Sequence, residues 1–566
     1  MSQKIAFITY ETPYSPAGGV AAVMARLPAA LKKATNLPIL VISPYHYRLS
    51  KTVALADQLK KMGTISVPFE NLSIKVNILK NENEVSWVFL QPTDGQFFSG
   101  ARHPYDVGEN QEETSTIMLR DALFFGVAAA EALPVIDPSA EWILLLQDWE
   151  AATIVLSLEG IRSGSLPEVA GRRYLVLHNS YDSGAGAADL MRFHINPANV
   201  PGDTVLLRSL PNVEDMIFTV SDQFAIDLVT EILQTEVLAP HLQAILPGRL
   251  LGINNGLFAD LALDREILER AERGDFDPLQ QWKETNRRKA VEALGAFVSS
   301  EDRLAWGDLD RIRLDEAPWF ILAGRDDPRQ KGYDIASLAI DQFLDQGGEA
   351  RFLFFPIPGD EGLAGLEFLK TLAGGHPEEV LVLPFLFKEG YFAALQGAAF
   401  GVMPSLYEPF GMANEFYLNG AVGIGRATGG IIQQIVPLRA AGSFSKAAQA
   451  RADRWHALSA RPTGLLYREP DGIPGASEDW QEINAAEYEL GGRKPGRAEA
   501  RRSLALVQAM VAELTFALDD AVNLYRNDRS LYFNMLLDGI RYLQSNFSWD
   551  RAARSYARHI LKGQFL

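Results

Sequence analysis

Glu408 and Glu415 sit in a stretch, residues 402–431, whose residue types suit holding sugar hydroxyls and phosphate together. The stretch opens on the apolar run AAFGVMPS, which predicts a buried strand ending near Pro404. Glu408-Pro409-Phe410-Gly411 reads as a turn into a helix that carries Glu415. Ala421 to Ile424 predicts the next strand, and Thr428-Gly429-Gly430 precedes IIQQIV, a helix start. Carboxylates at one strand end can accept hydrogen bonds from hydroxyls. Glycines at a helix N-terminus leave backbone N–H groups open to an anion, which the helix dipole also favours.

Further candidates lie at other strand ends. Trp319 to Ala323 reads as an apolar strand running into Gly324-Arg325-Asp326-Asp327-Pro328-Arg329-Gln330-Lys331-Gly332. Arginine offers a planar fork to phosphate and lysine a point charge. Either cation alone reads as an ordinary loop charge, and Arg329 is the alternative anchor or the control. Gly18-Gly19 opens a helix marked by Val20, Val23, Met24, Leu27 and Leu31. Its amides could face a phosphate or merely start the helix. The strand Trp142–Leu146 ends in Gln147-Asp148-Trp149, and Tyr174–Leu177 ends in His178-Asn179-Ser180-Tyr181. A lone histidine is more often structural than catalytic. At the carboxyl end of a strand it is better placed, because open α/β sheets bind ligands there. The pairs Asp275/Asp277 and Asp308/Asp310 follow no apolar strand, so they read as solvated charges and no metal site is expected.

These strand ends need sheets to position them. A chain of 566 residues exceeds one core, so two large domains with insertions are expected. Strands at Ile5–Tyr10, Leu37–Ser43, Ile217–Ser221, Phe352–Pro356 and Val380–Pro384, with helical segments between most, complete a βαβ alternation in both halves. That alternation predicts an α/β fold of two doubly wound parallel sheets. The expected divisions are 1–255, a charged helical linker 256–318, 319–545 with an insertion at about 438–500, and 546–566. Lys and Arg number 53 against 71 Asp and Glu, and the net charge of −18 argues against nucleic acid and anionic membrane as partners. The absence of cysteine excludes disulfides, thiolate metal sites and cysteine nucleophiles. The start MSQKIAFITY enters a strand with no signal-peptide layout, and no apolar run reaches membrane-spanning length, so a cytoplasmic location is expected.

The motifs together resemble the bacterial glycogen and starch synthases, which are retaining glycosyltransferases. The Glu-Pro-x-Gly turn with its later Thr-Gly-Gly, the His-Asn strand end, the Arg and Lys-Gly loop, the Asn-Gly turn in Gly252–Phe258 and the final Phe547-Ser548-Trp549-Asp550 carry the likeness. It runs from near residue 5 to near residue 560, outside the two insertions. The resemblance implies the GT-B fold, two Rossmann-like domains facing a cleft, with a C-terminal helix crossing back to the N-terminal domain. In that helix Trp549, Ala552, Ala553, Tyr556 and Ile560 share a face.

The implied activity is transfer of a hexosyl unit, most simply glucose, from ADP- or UDP-glucose to an α-glucan or other hydroxyl acceptor, without metal or cofactor. His178, Arg325, Lys331 and Glu408 are the implied catalytic residues. Gly18, Gly19, Glu415, Thr428, Gly429 and Gly430 are the implied donor-binding residues, and Asp148, Asn179 and Tyr181 line the acceptor side. Three departures stand out: Pro16 replaces the family lysine before Gly18-Gly19, the Arg-to-Lys spacing is one residue longer, and Glu415 lies seven positions after Glu408, where related enzymes put the second glutamate at eight, here Phe416. A same-fold transferase making a disaccharide or small glucoside is the nearer alternative, and a noncatalytic glucan-binding or regulatory relative the more distant one.

Overall fold

A computed structural model describes residues 2–108, 111–160, 171–300, 303–311, 315–359, 362–485 and 496–562. The chain divides into two compact units, Met1–Gly256 with Ser548–Leu566, and Leu257–Phe547. Among the described residues no helix is long and apolar enough to cross a membrane.

In the first unit the apolar runs become strands β1 (Ser2–Ile8), β2 (Ile39–Pro44), β3 (Lys60–Phe69), β4 (Leu72–Glu82), β5 (Ser86–Pro92), β6 (Ala140–Gln147), β7 (Gly171–Leu177), β8 (Ile217–Thr219) and β9 (Leu250–Gly252). Their order is β3-β4-β5-β2-β1-β6-β7-β8-β9. All pairings are parallel except β3–β4 and β4–β5. The antiparallel edge departs from the all-parallel sheet expected from sequence. A hairpin makes it, with Phe69 opposite Leu72 and Glu70 left-handed at φ +53°. The central strands read as continuous apolar runs because helices cover both faces, and Ile5, Ala6, Phe7 and Ile8 are fully buried.

Helix α1 (Gly19–Thr35) follows β1, and α2 (Asp148–Gly160) follows β6 directly. The last helix of this unit comes from the far end of the chain. Ser548 caps it, its hydroxyl accepting from the Arg551 amide at 3.2 Å. The helix, Trp549–Ile560, packs on α1, and Tyr556 meets Phe218 edge-on at 5.0 Å. Its buried face is Ala552, Ala553, Tyr556, Ala557 and Ile560, while Trp549 at the first turn stays partly exposed.

The second unit holds β10 (Trp319–Arg325), β11 (Arg351–Ile357), β12 (Val380–Val382), β13 (Phe400–Met403), β14 (Val422–Arg426) and β15 (Leu465–Tyr467). Their order, β12-β11-β10-β13-β14-β15, is wholly parallel. It is the doubly wound order in which the winding reverses between the first and fourth strands, here β10 and β13.

The segment read as a linker, 256–318, belongs to this unit from Leu257 onward. Helix α3 (Asp277–Gly295) carries Lys283 and Arg287, both buried. The Lys283 ammonium donates to the carbonyls of Ala398 at 2.6 Å and Gly420 at 2.5 Å, and Arg287 Nε to that of Gly397 at 2.9 Å. Four shorter helices matter below: α4 (Tyr333–Asp345), α5 (Ala413–Leu418), α6 (Gly429–Gln434) and α7 (Arg497–Arg501). The last of these, with β15, lies in the segment 438–500 read as an insertion, of which residues 486–495 fall outside the described ones.

Candidate active site

The second unit brings the sequence candidates together at the point where its winding reverses. Arg325 ends β10, and one turn, closed by Lys331 N donating to Asp327 O at 2.8 Å, carries Lys331 to the start of α4. Glu408 follows β13 on the neighbouring strand. Lys331 Nζ lies 2.7 Å from Glu408 Oε2, which also accepts from Ser405 Oγ at 2.9 Å. Gln330 Nε2 reaches Glu408 Oε1 at 3.4 Å. The carboxylate is buried, 8% exposed, and the ammonium is 25% exposed. A backbone bond from Leu406 N to Gln330 O, 2.7 Å, joins the two loops. Arg329 is half-buried in the same loop, its amide donating to Asp327 Oδ1 at 3.0 Å.

Glycines set the spacing. Gly332, at φ +62°, has no room for a Cβ, which would lie 2.2 Å from the Pro404 carbonyl oxygen. Gly429, at φ +47°, would put one 1.7 Å from the Glu408 carbonyl oxygen. These positions therefore need glycine for close backbone approach as well as for conformation. Gly430 N donates to Glu408 O at 3.1 Å, so this amide holds the turn and does not present itself to an anion as the sequence suggested. Thr428 N bonds Arg426 O at 2.8 Å, which tightens the entry to α6.

In the helix after Glu408, positions 415 and 416 have different surroundings. Phe416 is fully buried, its ring filling the space above Gly401. Glu415, half-buried, lies in the field of Lys331. Burial pushes its carboxyl up to about 7, against the pull of Lys331.

Residues that the sequence reading passed over lock this arrangement. Gln434 Nε2 donates to Phe410 O at 2.5 Å, and its Oε1 accepts from Asn414 N at 3.0 Å and Asn414 Nδ2 at 2.9 Å. Arg426, 1% exposed, donates through Nη1 to Leu406 O at 2.6 Å and pairs with the buried Glu469. Burial works to raise the Glu469 carboxyl, but Arg426 and Arg468 outweigh it and hold it at about 2.

In the first unit the winding reverses between β1 and β6, and the residues after them meet. Asp148 takes the left-handed conformation, φ +61°, uncommon for a residue with a Cβ and found where neighbours over-determine it. Its Oδ1 accepts from His178 N at 2.6 Å and its Oδ2 from Asn179 Nδ2 at 3.3 Å. Asn179 Oδ1 accepts from Tyr181 N at 2.7 Å, so the four sequence candidates form one strand-end cluster. His178 Nε2 lies 2.8 Å from Gln147 Oε1, while Gln147 Nε2 donates to Leu145 O at 3.0 Å. That orientation of the amide makes Nε2 the protonated nitrogen and Nδ1 the acceptor. Burial pushes the imidazole down to about 3, so it is neutral at physiological pH.

Gly18 receives a correction. Its amide donates to Glu11 Oε2 at 2.7 Å, as Ala17 N does at 3.0 Å, so an internal carboxylate stands where the sequence suggested a phosphate. Glu11 Oε1 accepts from the Tyr105 hydroxyl at 2.9 Å. Burial raises the carboxyl groups of both Asp148 and Glu150, and nearby acids, Glu11 among them, push the same way. Glu11 and Glu150 were missed. An acid directly after the first strand of a βαβ unit is the signal that points to Glu11.

The family profile for the starch synthase catalytic domain matches residues 4–244. A glycogen synthase of Thermosipho melanesiensis is 25% identical over 452 residues, 76% of this chain and 85% of that one. A glycogen synthase of Thermotoga maritima is 26% identical over 455 residues, 76% of this chain and 84% of that one. Among solved structures, the catalytic domain of starch synthase IV from Arabidopsis thaliana, bound to ADP and acarbose, superposes with a TM-score of 0.66 at 17% identity over 99% of each chain.

Proposed function

We propose that this chain, a glycogen/starch-synthase-like glycosyltransferase of the GT-B fold, moves a glucosyl unit from a nucleoside-diphosphate glucose to an α-glucan with retention at the anomeric carbon. The observation that carries this reading is the Lys331–Glu408 pair, with Lys331 six residues after Arg325 in one loop, at the place where the second sheet reverses its winding. ADP-glucose is the first donor to test, since the starch synthase it resembles in fold holds ADP.

Arg325 and Lys331 hold the diphosphate. Lysine has three N–H donors, so Lys331 can keep Glu408 and still reach a phosphate oxygen. Glu408 accepts hydrogen bonds from sugar hydroxyls through the lone pairs its neighbours leave. The bond from the anomeric carbon to the diphosphate oxygen breaks, the pair of electrons leaves with that oxygen, and the acceptor oxygen bonds the same face. The acceptor's proton passes to the departing phosphate. Negative charge on that phosphate grows along the reaction, so the two cations act more strongly in the transition state than in the ground state. Glu415 adds its carboxyl to the field around Lys331, and Thr428, Gly429 and Gly430 fix the turn that aims Glu408. In the first unit His178 offers Nδ1 to a sugar hydroxyl, and Asp148, Asn179 and Tyr181 shape the acceptor side, with Gly19 at the adjoining helix start.

The test is glucose transfer to glycogen from each nucleoside-diphosphate glucose in turn. Arg325→Ala and Lys331→Ala should each lower turnover about a hundredfold, with donor KM changed less, and Arg329→Ala should be mild. Normal turnover in both of the first two variants would remove the phosphate assignment. Severe loss in Arg329→Ala with a normal Lys331→Ala would move the assignment to Arg329.

A further inference from the structure

We propose that Arg497 is a positioning residue for the diphosphate clamp, acting through Asp326 on the loop that carries Arg325 and Lys331; this rests on the reading of those two residues given above. Arg497 opens α7 and is 2% exposed. Its Nη2 lies 2.7 Å from Asp326 Oδ1 and its Nη1 3.1 Å from Oδ2, a two-pronged pair. Asp326 is the residue directly after Arg325 and is 3% exposed. Its own amide donates to Ile357 O at 2.8 Å, continuing the β10–β11 ladder by one more bond. The backbone at the root of the loop is thus tied to a strand on one side and to α7 through the carboxylate on the other.

The far end of the loop is tied by the same helix. Arg501, one turn after Arg497, places Nη1 2.8 Å from Asp334 Oδ2. Asp334 is fully buried in the first turn of α4, three residues after Lys331. Arg501 Nη2 also donates to Ile483 O at 2.7 Å, which joins α7 to the preceding helical segment. The Arg497 guanidinium rests on the Phe368 ring, 4.7 Å from its centroid. Two arginines on one face of a short helix therefore hold the residues flanking the cation loop.

A carboxylate as buried as Asp326 is strongly disfavoured unless it is paired and hydrogen-bonded. Asp334 and Asp327 face it with like charge, Tyr333 lies nearby, and Arg497 supplies the opposite charge. Without Arg497, Asp326 has to turn out to water or take up a proton. Either response shifts Arg325, its neighbour in the chain. The segment 438–500, unassigned from the sequence, thereby acquires a part in the reaction without touching the donor.

The test uses the full chain, ADP-glucose and glycogen, or whichever donor supports turnover, and compares Arg325→Ala, Arg497→Met and the two combined. Displacement of a reacting group by 1 Å can cost about a hundredfold. Arg497→Met should therefore lower kcat by about tenfold or more, with KM changed less. In the Arg325→Ala background the same change should do little further, because its effect runs through Arg325. Arg497→Lys should recover part of the rate. Asp326→Asn combined with Arg497→Met leaves no unpaired charge; it should melt close to wild type and remain slow, and it decides the matter if Arg497→Met alone fails to fold. Normal kcat in Arg497→Met, an equal proportional loss in both backgrounds, or full kcat in the Asn/Met pair would overturn the proposal. Normal turnover in Arg325→Ala would instead remove the clamp reading on which it rests.

Discussion

Gly429→Ala should damage both stability and turnover, and the size of the effect follows from the turn. A side chain at φ +47° is disfavoured by about 1–2 kcal/mol. The added Cβ would lie 1.7 Å from the Glu408 carbonyl oxygen, so helix or turn must retreat by about 1.3 Å before the contact reaches 3.0 Å. That oxygen accepts the Gly430 amide, so it cannot rotate away without losing a bond. Moving α6 instead strains the Gln434 bonds to Phe410 and Asn414. Losing one or two such bonds costs about 1 kcal/mol each, for a total of about 2–4 kcal/mol. Glu408 would shift by about the same distance, enough to cost roughly a hundredfold in kcat. Denaturant unfolding at constant m gives the first quantity, and turnover at saturating donor gives the second. A variant within about 0.5 kcal/mol of wild type that also kept its kcat would refute the close approach and the rigid coupling drawn from it.

Other outcomes follow from the same geometry. Glu408→Gln is nearly isosteric and should leave circular dichroism unchanged while lowering kcat about a hundredfold or more; a fully active variant would exclude a role for the carboxylate. Glu415 is raised to about 7 in the folded chain, so the stability it contributes is full below its ordinary value near 4.5 and is lost as pH rises through about 7. Glu415→Gln should therefore flatten the stability profile between those pH values, and parallel profiles for the two proteins would contradict the assignment. Tyr556→Ala, whose ring is 1% exposed, should cost about 3–5 kcal/mol, and Trp549→Ala, only partly buried, should cost less. The reverse order in chemical denaturation would place the anchor of that helix wrongly.

The strand ends were the legible part of this protein. Arg325, Glu408 and His178 each follow an apolar run, and a doubly wound sheet has to present such positions at one edge. The two Gly-Gly helix starts look alike in sequence and differ in space. A Cβ on Gly19 meets nothing within 4 Å, whereas Gly429 and Gly430 both press on backbone carbonyls. Only the partner surface separates the two, and a partner distant in sequence leaves no local trace. Glu11 differs: its position after the first strand is visible in sequence, but its bonds to Ala17 and Gly18 depend on how the loop folds back. Charge misled most in residues 257–318. Lys283 lies in the segment read as a charged linker, yet carbonyls from two distant loops enclose its ammonium. The antiparallel edge of the first sheet escaped because β3 and β4 are half-exposed and carry no long apolar run.

The first unit is assembled from two stretches far apart in the chain: residues up to Gly256, and the helix after Ser548. A ribosome reads these pieces in order, so the seat that Phe218 and α1 form for Tyr556 exists before its occupant has been made. At about 5–20 residues per second, the intervening stretch, Leu257 to Phe547, takes roughly 15–60 s to synthesise. During that interval the nascent first unit carries an uncovered apolar strip. Premature termination anywhere in the second unit would therefore release a first unit that cannot be completed, a natural substrate for chaperones and proteases.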